Sequence, residues 1–600
     1  MSTTQQTSTR AGRAALTGAE TAAETDPTPR FGVRDLNVAF EHRSGRRPVV
    51  HDVSFDLAAG ECLAIVGESG SGKSVTARTL VGLTGGASVV EASRLEFDGR
   101  DVRGLRGRDW RGIRGGRIGF VLQDALVSLD PLRPVGDEIA ESLRLHGWGD
   151  AARRRERVVE LLAAVGVPEP ELRARQRPDE LSGGLRQRAL IASAIANDPE
   201  VVIADEPTTA LDVTVQAQVL DLLEAQKRRG VAIVLISHDL SVVARLADRV
   251  LVMSGGHVVE QGTTHDVLTD PRHEYTRRLI AAVPGEHTRG ARLTVAAPPA
   301  GVSGGASREG ASTDSEAGLV RRTQEARADS GDDAPVLEAR GLVKTFASGR
   351  HGVRRAVDDV SFRLERGRTL GIVGESGSGK STTARLALAL TRPDAGEVTL
   401  LGQPWSALTE RRRRDRRSLV TVVQQDPLSS FDPRWNTERV LVDALPAGRF
   451  TTAAARAERV RELVTRVGLP EEALARFPLQ LSGGQRQRVS IARALAPEPA
   501  VIVLDEAVSA LDVSVQAQVL DLLADLQRQL GLSYLFISHD LGVIYHVSDD
   551  VLVMRDGRVV ERGTAEDVFE RPREAYTREL VGALPRLADG ALPRSPGRTR

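Results

Sequence analysis

Six hundred residues exceed what a single hydrophobic core organises, so at least two domains are expected. A composition of 41% hydrophobic and 27% charged residues is that of a globular chain, and a formal net charge of zero lacks the footprint of a dedicated nucleic-acid binder. The one cysteine, Cys62, excludes an internal disulfide framework or an all-cysteine metal cluster and points to a reducing compartment.

Residues 1–30 are rich in Thr, Ala and Glu and read as a disordered tail without the apolar core of a signal peptide. No run of 18 apolar residues occurs anywhere, so no transmembrane helix is expected. From Phe31 the chain becomes periodic. VVHDVSFDL (Val49–Leu57) precedes the short apolar strand LAIVG, which runs into GESGSGKS at Gly67–Ser74 and then a helix. LSGGLRQR begins at Leu181. VVIAD (Val201–Asp205) is an apolar run ending in a carboxylate, as parallel strands with functional carboxyl ends do. VQAQVLDLLEAQKRRG has helical spacing and stops at Gly, and VAIVLISHD is a further strand.

Residues 285–334, rich in Gly, Ala, Ser and Arg, lack periodicity and read as a flexible linker with a root-mean-square span on the order of 40 Å. The text then repeats. AVDDVSFRL, LGIVG, a second GESGSGKS at Gly374–Ser381, LSGGQRQR from Leu481, VIVLDEAVSALDVSVQAQVLDLL from Val501 and LSYLFISHD follow in the same order, displaced by 300–307 residues. Two domains of one α/β fold are therefore expected at 31–284 and 335–584, with a disordered basic tail at 585–600. The run RRRRDRR (Arg411–Arg417) reads as a solvated surface segment before a strand.

The repeated loops carry the chemistry. In GxxxxGK[ST] between strand and helix, glycines allow backbone N–H groups to converge on phosphate oxygens at the helix N-terminus. The cradle comprises Gly67, Ser69, Gly70, Ser71, Gly72, Lys73 and Ser74, and Gly374, Ser376, Gly377, Ser378, Gly379, Lys380 and Ser381. Lys73 and Lys380 are placed to reach the β/γ-phosphates, and Ser74 and Ser381 to ligate Mg²⁺. The chain has only four lysines, and two of them stand here. Asp205 and Asp505 end strands where a metal shell would lie, and Glu206 and Glu506 follow on the opposite face, able to address a water.

Taken together, both halves resemble the nucleotide-binding domains of ATP-binding cassette (ABC) proteins over about 500 residues. LSGGxRQR between the phosphate loop and the Asp–Glu strand is the most specific element; in isolation it is a Ser-capped helix start. The resemblance implies P-loop NTPase folds, each a RecA-like α/β core with a helical subdomain, that bind and hydrolyse ATP with Mg²⁺. It assigns Ser182, Gly183, Gly184 and Ser482, Gly483, Gly484 to the signature that meets the opposite half's γ-phosphate. Gln123 and Gln425 (Gln424 being its neighbour) match the Q-loop glutamine at the metal, Asp212 and Asp512 the D-loop, and His238 and His539 the switch histidine. Glu206 and Glu506 become catalytic, and Phe40 and Phe346 stand where an aromatic ring stacks on adenine. Head-to-tail pairing then gives two composite sites, Lys73 with Ser482 and Lys380 with Ser182, made intramolecular by the shared chain. Leu185 replaces the usual Gln after LSGG, and Ala507 replaces a Pro that restricts the backbone, so a looser loop is expected at Glu506.

QDALVSLDPLRPVGDEIAESLRLHG, QQDPLSSFDPRWNTERVL and the tails DPRHEYTRRLIAAVP and RPREAYTRELVGALP resemble the dipeptide/oligopeptide/nickel importers. That likeness implies two integral-membrane permease subunits, an extracytoplasmic solute-binding protein, no nucleic acid, and a peripheral position on the cytoplasmic face of the membrane. Some members carry a cysteine-ligated iron–sulfur site after the tail; without cysteine there, none is expected. The alternatives fit less well. A tandem-cassette translation factor of the ABC-F type has a charged helical hairpin between its cassettes, an excision-repair ATPase needs zinc-binding cysteines, and a sugar importer's tandem ATPase lacks the YTRxL tails.

Overall fold

The computed structural model describes residues 29–42, 45–123, 128–208, 211–285, 288–294, 334–347, 353–446 and 448–582. Residues 1–28 and 585–600 of the expected tails, and 286–287 and 295–333 of the expected linker, lie outside the described residues.

In the first half, five short apolar runs form the parallel body of a six-stranded sheet. Its order is His257–Thr263, Arg249–Ser254, Cys62–Val66, Ala232–Ile236, Val201–Asp205, Ile118–Val121, with only His257–Thr263 antiparallel. These strands are buried on both faces, which is why they read as continuous apolar text rather than as alternation. Their side chains still alternate between two cores. Cys62, Ala64 and Val66 face the helical side, whereas Leu63 and Ile65 face a second, antiparallel sheet. That sheet is built on Phe31–His42, which pairs with Gly45–Leu57, Ser88–Glu91 and Arg94–Phe97. Helices Val135–Leu145, Ala151–Ala164 and Gly183–Ala194 form the helical subdomain.

The second half repeats this plan. Its six strands run Val420–Val423, Val501–Asp505, Ser533–Ile537, Thr369–Val373, Asp550–Arg555, Arg558–Thr564. Its antiparallel sheet is built on Leu337–Ala347, and its subdomain on Thr437–Asp443, Ala453–Arg466 and Gly483–Leu495. The two-domain α/β architecture with helical subdomains is thus as expected. Among the described residues no helix is long and apolar enough to cross a membrane.

Two expectations are modified. The arginine run is not simply solvated. Arg413 and Arg417 lie over the Trp405 ring at 5.9 and 5.2 Å, Arg416 donates to the Leu400 carbonyl at 2.7 Å, and Arg417 to the Leu388 carbonyl at 2.6 Å. Guanidinium groups combine aromatic stacking with several fixed donors, so the run closes the edge of this core. In addition, Thr288, Leu293 and Thr294, within the stretch read as linker, bond to the second half.

Trp405 is fully buried and donates Nε1–H to the Ala387 carbonyl at 3.0 Å. Trp405→Ala is expected to lower the unfolding free energy by about 3–5 kcal/mol, through the cavity and the carbonyl it strands. Urea titration followed by far-UV circular dichroism checks this.

Candidate functional site

Each parallel sheet delivers its loops to the carboxyl end of the strands. Strand Cys62–Val66 runs into Gly67 at φ +149°, where a Cβ would stand 2.2 Å from the Met253 carbonyl oxygen. Gly374 repeats this at φ +147° and 2.1 Å from the Met554 oxygen. No side chain fits there, which accounts for the first glycine of each loop. Gly72 and Gly379, both left-handed, begin helices Lys73–Leu80 and Lys380–Ala387, so the loop amides open toward each helix N-terminus.

Lys73 is only 5% exposed, yet it carries an ammonium. Its Nζ donates to the carbonyls of Gly67 and Glu68 at 2.7 and 2.8 Å, and Lys380 does the same with Gly374 and Glu375 at 2.6 and 2.8 Å. Burial lowers both lysine pKa values, against nearby carboxylates that sustain the charge. At Lys73 the leading one is Asp512, from the other half, followed by Glu206 and Asp205. At Lys380 they are Glu506, then Asp212 from the other half. The halves also touch directly at this level, where Thr214 Oγ1 donates to Glu375 Oε1 at 2.8 Å.

Ser74 Oγ donates to Asp205 Oδ1 at 3.0 Å, and Ser381 Oγ to Asp505 Oδ1 at 3.2 Å. Burial raises both aspartate pKa values, with the serine bond opposing it. Asp205 Oδ2 is buried without a hydrogen-bond partner, as are the hydroxyls of Ser71 and Ser378 in the loops. Unsatisfied polar atoms are rare in folded proteins, and these three lie where a polyphosphate and its cation would complete them. Among the described residues no group of three or more His, Cys, Asp or Glu is placed to hold a metal. A lone Ser–Asp pair suits a hard cation that takes its remaining oxygens from phosphate and water.

Glu206 and Glu506 sit at φ +51° and +50°, a strained conformation for glutamate, and each N–H bonds the carbonyl of the neighbouring strand (Ile236 or Ile537) at 2.9 Å. The angles are nearly equal although Ala507 stands where the first half has Pro207. Gln123 Nε2 donates to Glu206 at 2.9 Å and Gln425 Nε2 to Glu506 at 2.6 Å. Of the two adjacent glutamines, Gln425 is thus the one that reaches the carboxylate. His238 and His539 hold Nδ1 at 3.4 Å from the same glutamates. Burial alone would lower the histidine pKa values, but the glutamate hydrogen bond and charge outweigh it and raise both. Reciprocally, burial would raise Glu506, and the His539 bond and charge lower it.

Other expected residues are placed as follows. Ser182 and Ser482 cap their own helices by accepting from the N–H of residues 185 and 485. In the second half the Gln485 side chain accepts from the Ser482 N–H at 3.1 Å, closing a capping box that Leu185 cannot form. Gly184 and Gly484 pack against Val215 and Val515 of the helix that follows the D-loop in the same half. Asp212 caps its helix by accepting from the Val215 N–H at 2.9 Å, whereas Asp512 makes no such capping bond. Phe40 is half-buried against the core. Phe346 is 46% exposed, with the Lys344 ammonium 5.7 Å over its ring.

Sequence reasoning missed two features. The tyrosines of the YTR tails turn back to the loops: Tyr275 and Tyr576 accept from the N–H of Glu68 and Glu375 at 3.0 and 3.2 Å. Burial pushes both phenols up to about 12. The repetition of YTR at similar distances from both loops, 207 and 201 residues, was the available signal. The Thr214–Glu375 contact has no sequence signature at all.

Comparison with known proteins agrees with this geometry. The ABC transporter family matches residues 50–209 and 357–509. The family described as the oligopeptide/dipeptide transporter C-terminal region matches 259–300 and 560–599. The oligopeptide transport ATP-binding protein OppD of Mycobacterium tuberculosis is 44% identical, covering 93% of this chain and 98% of its own. The peptidoglycan transport ATP-binding protein YejF of Agrobacterium fabrum is 42% identical (93% and 97% covered). The glutathione import ATP-binding protein GsiA of Escherichia coli K12 is 42% identical (92% and 89%). The chain therefore belongs to the ABC transporter family, as a tandem ATP-binding subunit of the oligopeptide/dipeptide importer group with two ATPase cassettes in one polypeptide.

Proposed function

We propose that the two halves form two composite Mg·ATP sites, both hydrolytic, that power import of a peptide or similar small solute. Nickel and glutathione lie within the same class. Two permease subunits and an extracytoplasmic solute-binding protein complete the assembly, with this subunit bound to the cytoplasmic face of the membrane. The observation that carries the reading is the contact between the halves at the phosphate loop, where Thr214, two residues after Asp212, donates to Glu375 of the other half at 2.8 Å, with the charge of each D-loop aspartate acting on the other half's lysine. The tails and the peptide- and glutathione-importing relatives support the solute class.

Mechanistically, the buried ammonium of Lys73 or Lys380 exchanges loop carbonyls for phosphate oxygens, and the open loop amides add donors. Ser74 with Asp205, and Ser381 with Asp505, would hold Mg²⁺, which neutralises phosphate charge when bound. Glu206 and Glu506 orient and polarise the attacking water. The paired histidine and glutamine keep each carboxylate in the strained turn, aimed out of the sheet. Ser182 and Ser482 contribute donors to the opposite site from their helix starts.

Glu206→Gln and Glu506→Gln are each expected to lower ATPase turnover, and the double variant to lower it on the order of 10²-fold or more while ATP still binds. Steady-state phosphate release and nucleotide-binding titrations check this; unchanged turnover in either single variant would show that only one site hydrolyses. The Glu–His pairs also give a pH signature. Because both histidine pKa values are raised, the stability they add is fully present below about 6.5 and is lost as pH rises through the folded value. The melting-temperature gap between the wild type and a His238→Gln/His539→Gln variant should thus be widest below about pH 6.5 and narrow as pH rises through the raised folded value. For the partners, purification of the tagged chain from native membranes in mild detergent, with mass spectrometry, is expected to recover two polytopic permeases and a solute-binding protein. Ribosomal subunits without permeases would overturn the importer reading.

A further inference from the structure

The segment that leaves the first half crosses onto the second half and lies across two of its helices, Val513–Leu530 and Leu541–Val547. Leu293 and Thr294 donate their backbone N–H groups to the two carboxylate oxygens of Asp521, at 3.1 and 2.9 Å, and the Thr294 hydroxyl adds a third bond. Asp521 is 8% exposed and Leu293 2% exposed, so this carboxylate is satisfied out of water by the segment itself. Around it, Arg292 pairs with Asp525. Arg289 stands 5.2 Å over the Tyr545 ring and donates to the Tyr545 carbonyl at 3.3 Å. Thr288 Oγ1 meets His546 Nδ1 at 3.1 Å. The Pro284 carbonyl rests on Gly542, where a Cβ would be only 2.7 Å away.

The corresponding face of the first half differs at each of these points except the aspartate. Asp221, the counterpart of Asp521, is paired with Arg245 at 2.6 Å on its own surface. Arg245 is the counterpart of His546, Ala244 of Tyr545, Ser241 of Gly542 and Ala225 of Asp525. One face thus pairs an exposed aspartate with an arginine of its own. The other has lost the arginine, gained an aromatic ring and an acid for two arginines, and cleared a Cβ from the path of a carbonyl. None of these exchanges lies in a phosphate loop, a signature or the Asp–Glu strand.

We infer that residues 284–285 and 288–294 form a one-way strap, and that the face formed by Asp521, Asp525, Gly542, Tyr545 and His546 is its dedicated dock. The strap holds the first half on the second when no nucleotide bridges them, so the halves open as a hinged pair and do not part. It rests on the paired-site reading above for what opens and closes, but not for its own contacts. The buried ammonium and carboxylate groups at the two ATP sites separate and rejoin in each cycle, while the strap stays bound.

The test uses the full chain with a protease site inserted at residues 310–320, nicked after purification and run on size exclusion without nucleotide. The nicked wild type is expected to elute as one species at the intact mass of 64.5 kDa. Replacing 288–294 by Gly and Ser, or the double change Arg292→Glu/Leu293→Asp, is expected to abolish that joint elution; both leave every cassette residue untouched. A nicked wild type that falls apart, or strap variants that stay joined, would overturn the inference. The same variants carrying Glu206→Gln/Glu506→Gln, given ATP and Mg²⁺, should elute jointly again. If ATP fails to rejoin them while the nicked wild type holds together, the composite-site reading fails and the strap stands.

Discussion

An ammonium withdrawn from water is the constraint on which each half is organised. Burying an unpaired charge costs several kcal/mol, so Lys73 and Lys380 persist only because their surroundings replace water. The replacement is layered. Two carbonyls of the bent loop bind the ammonium directly. The bend needs a glycine whose Cβ would collide with the next strand's end. Carboxylates from the adjacent strand and from the other half supply the opposing charge. Removing any layer raises the cost of the charge, so loop, sheet edge and interface between halves are energetically one object. The carbonyls now bound by lysine are weaker partners than phosphate oxygens, and that difference favours the exchange when ATP arrives.

The Glu–His–Gln grouping is the second such object. A glutamate in the left-handed region is strained by order 1–3 kcal/mol, and its persistence in both halves requires compensation. The backbone bond to Ile236 or Ile537 fixes the turn, and the paired side chains fix the carboxylate. Proline is one way to hold the following residue. The second half achieves the same angle with Ala507, buried at 3% exposure, through packing. The backbone angle at the glutamate is therefore not set by proline's ring alone.

Much of this was legible in the sequence, for a physical reason. Strands buried on both faces leave apolar runs, phosphate loops leave glycines, and strand ends that serve a cation leave carboxylates, all local patterns. Duplication at a nearly constant offset then located every partner twice. What was not legible depends on contacts between distant segments. The tail tyrosines reach the loops across about 200 residues. The arginine run looked solvated because nothing local shows that Trp405 lies beneath it. Residues 288–294 looked like linker partly because two of the bonds that satisfy Asp521 come from backbone N–H groups, which every non-proline residue has and no composition reveals.

The duplication also shows where function constrains the two halves equally and where it does not. Lysine, serine, aspartate, glutamate, glutamine and histidine recur with hydrogen bonds that differ by at most 0.3 Å between halves. Outside that set the halves diverge, in the capping box that only Gln485 forms and in the faces that carry Asp221 and Asp521. A homodimer could not diverge in this way, since both faces would be written by one stretch of sequence. Fusion removes that restriction and raises the effective concentration of each half for the other. One face can then specialise in holding the pair together, which frees both ATP sites to come fully apart between turnovers.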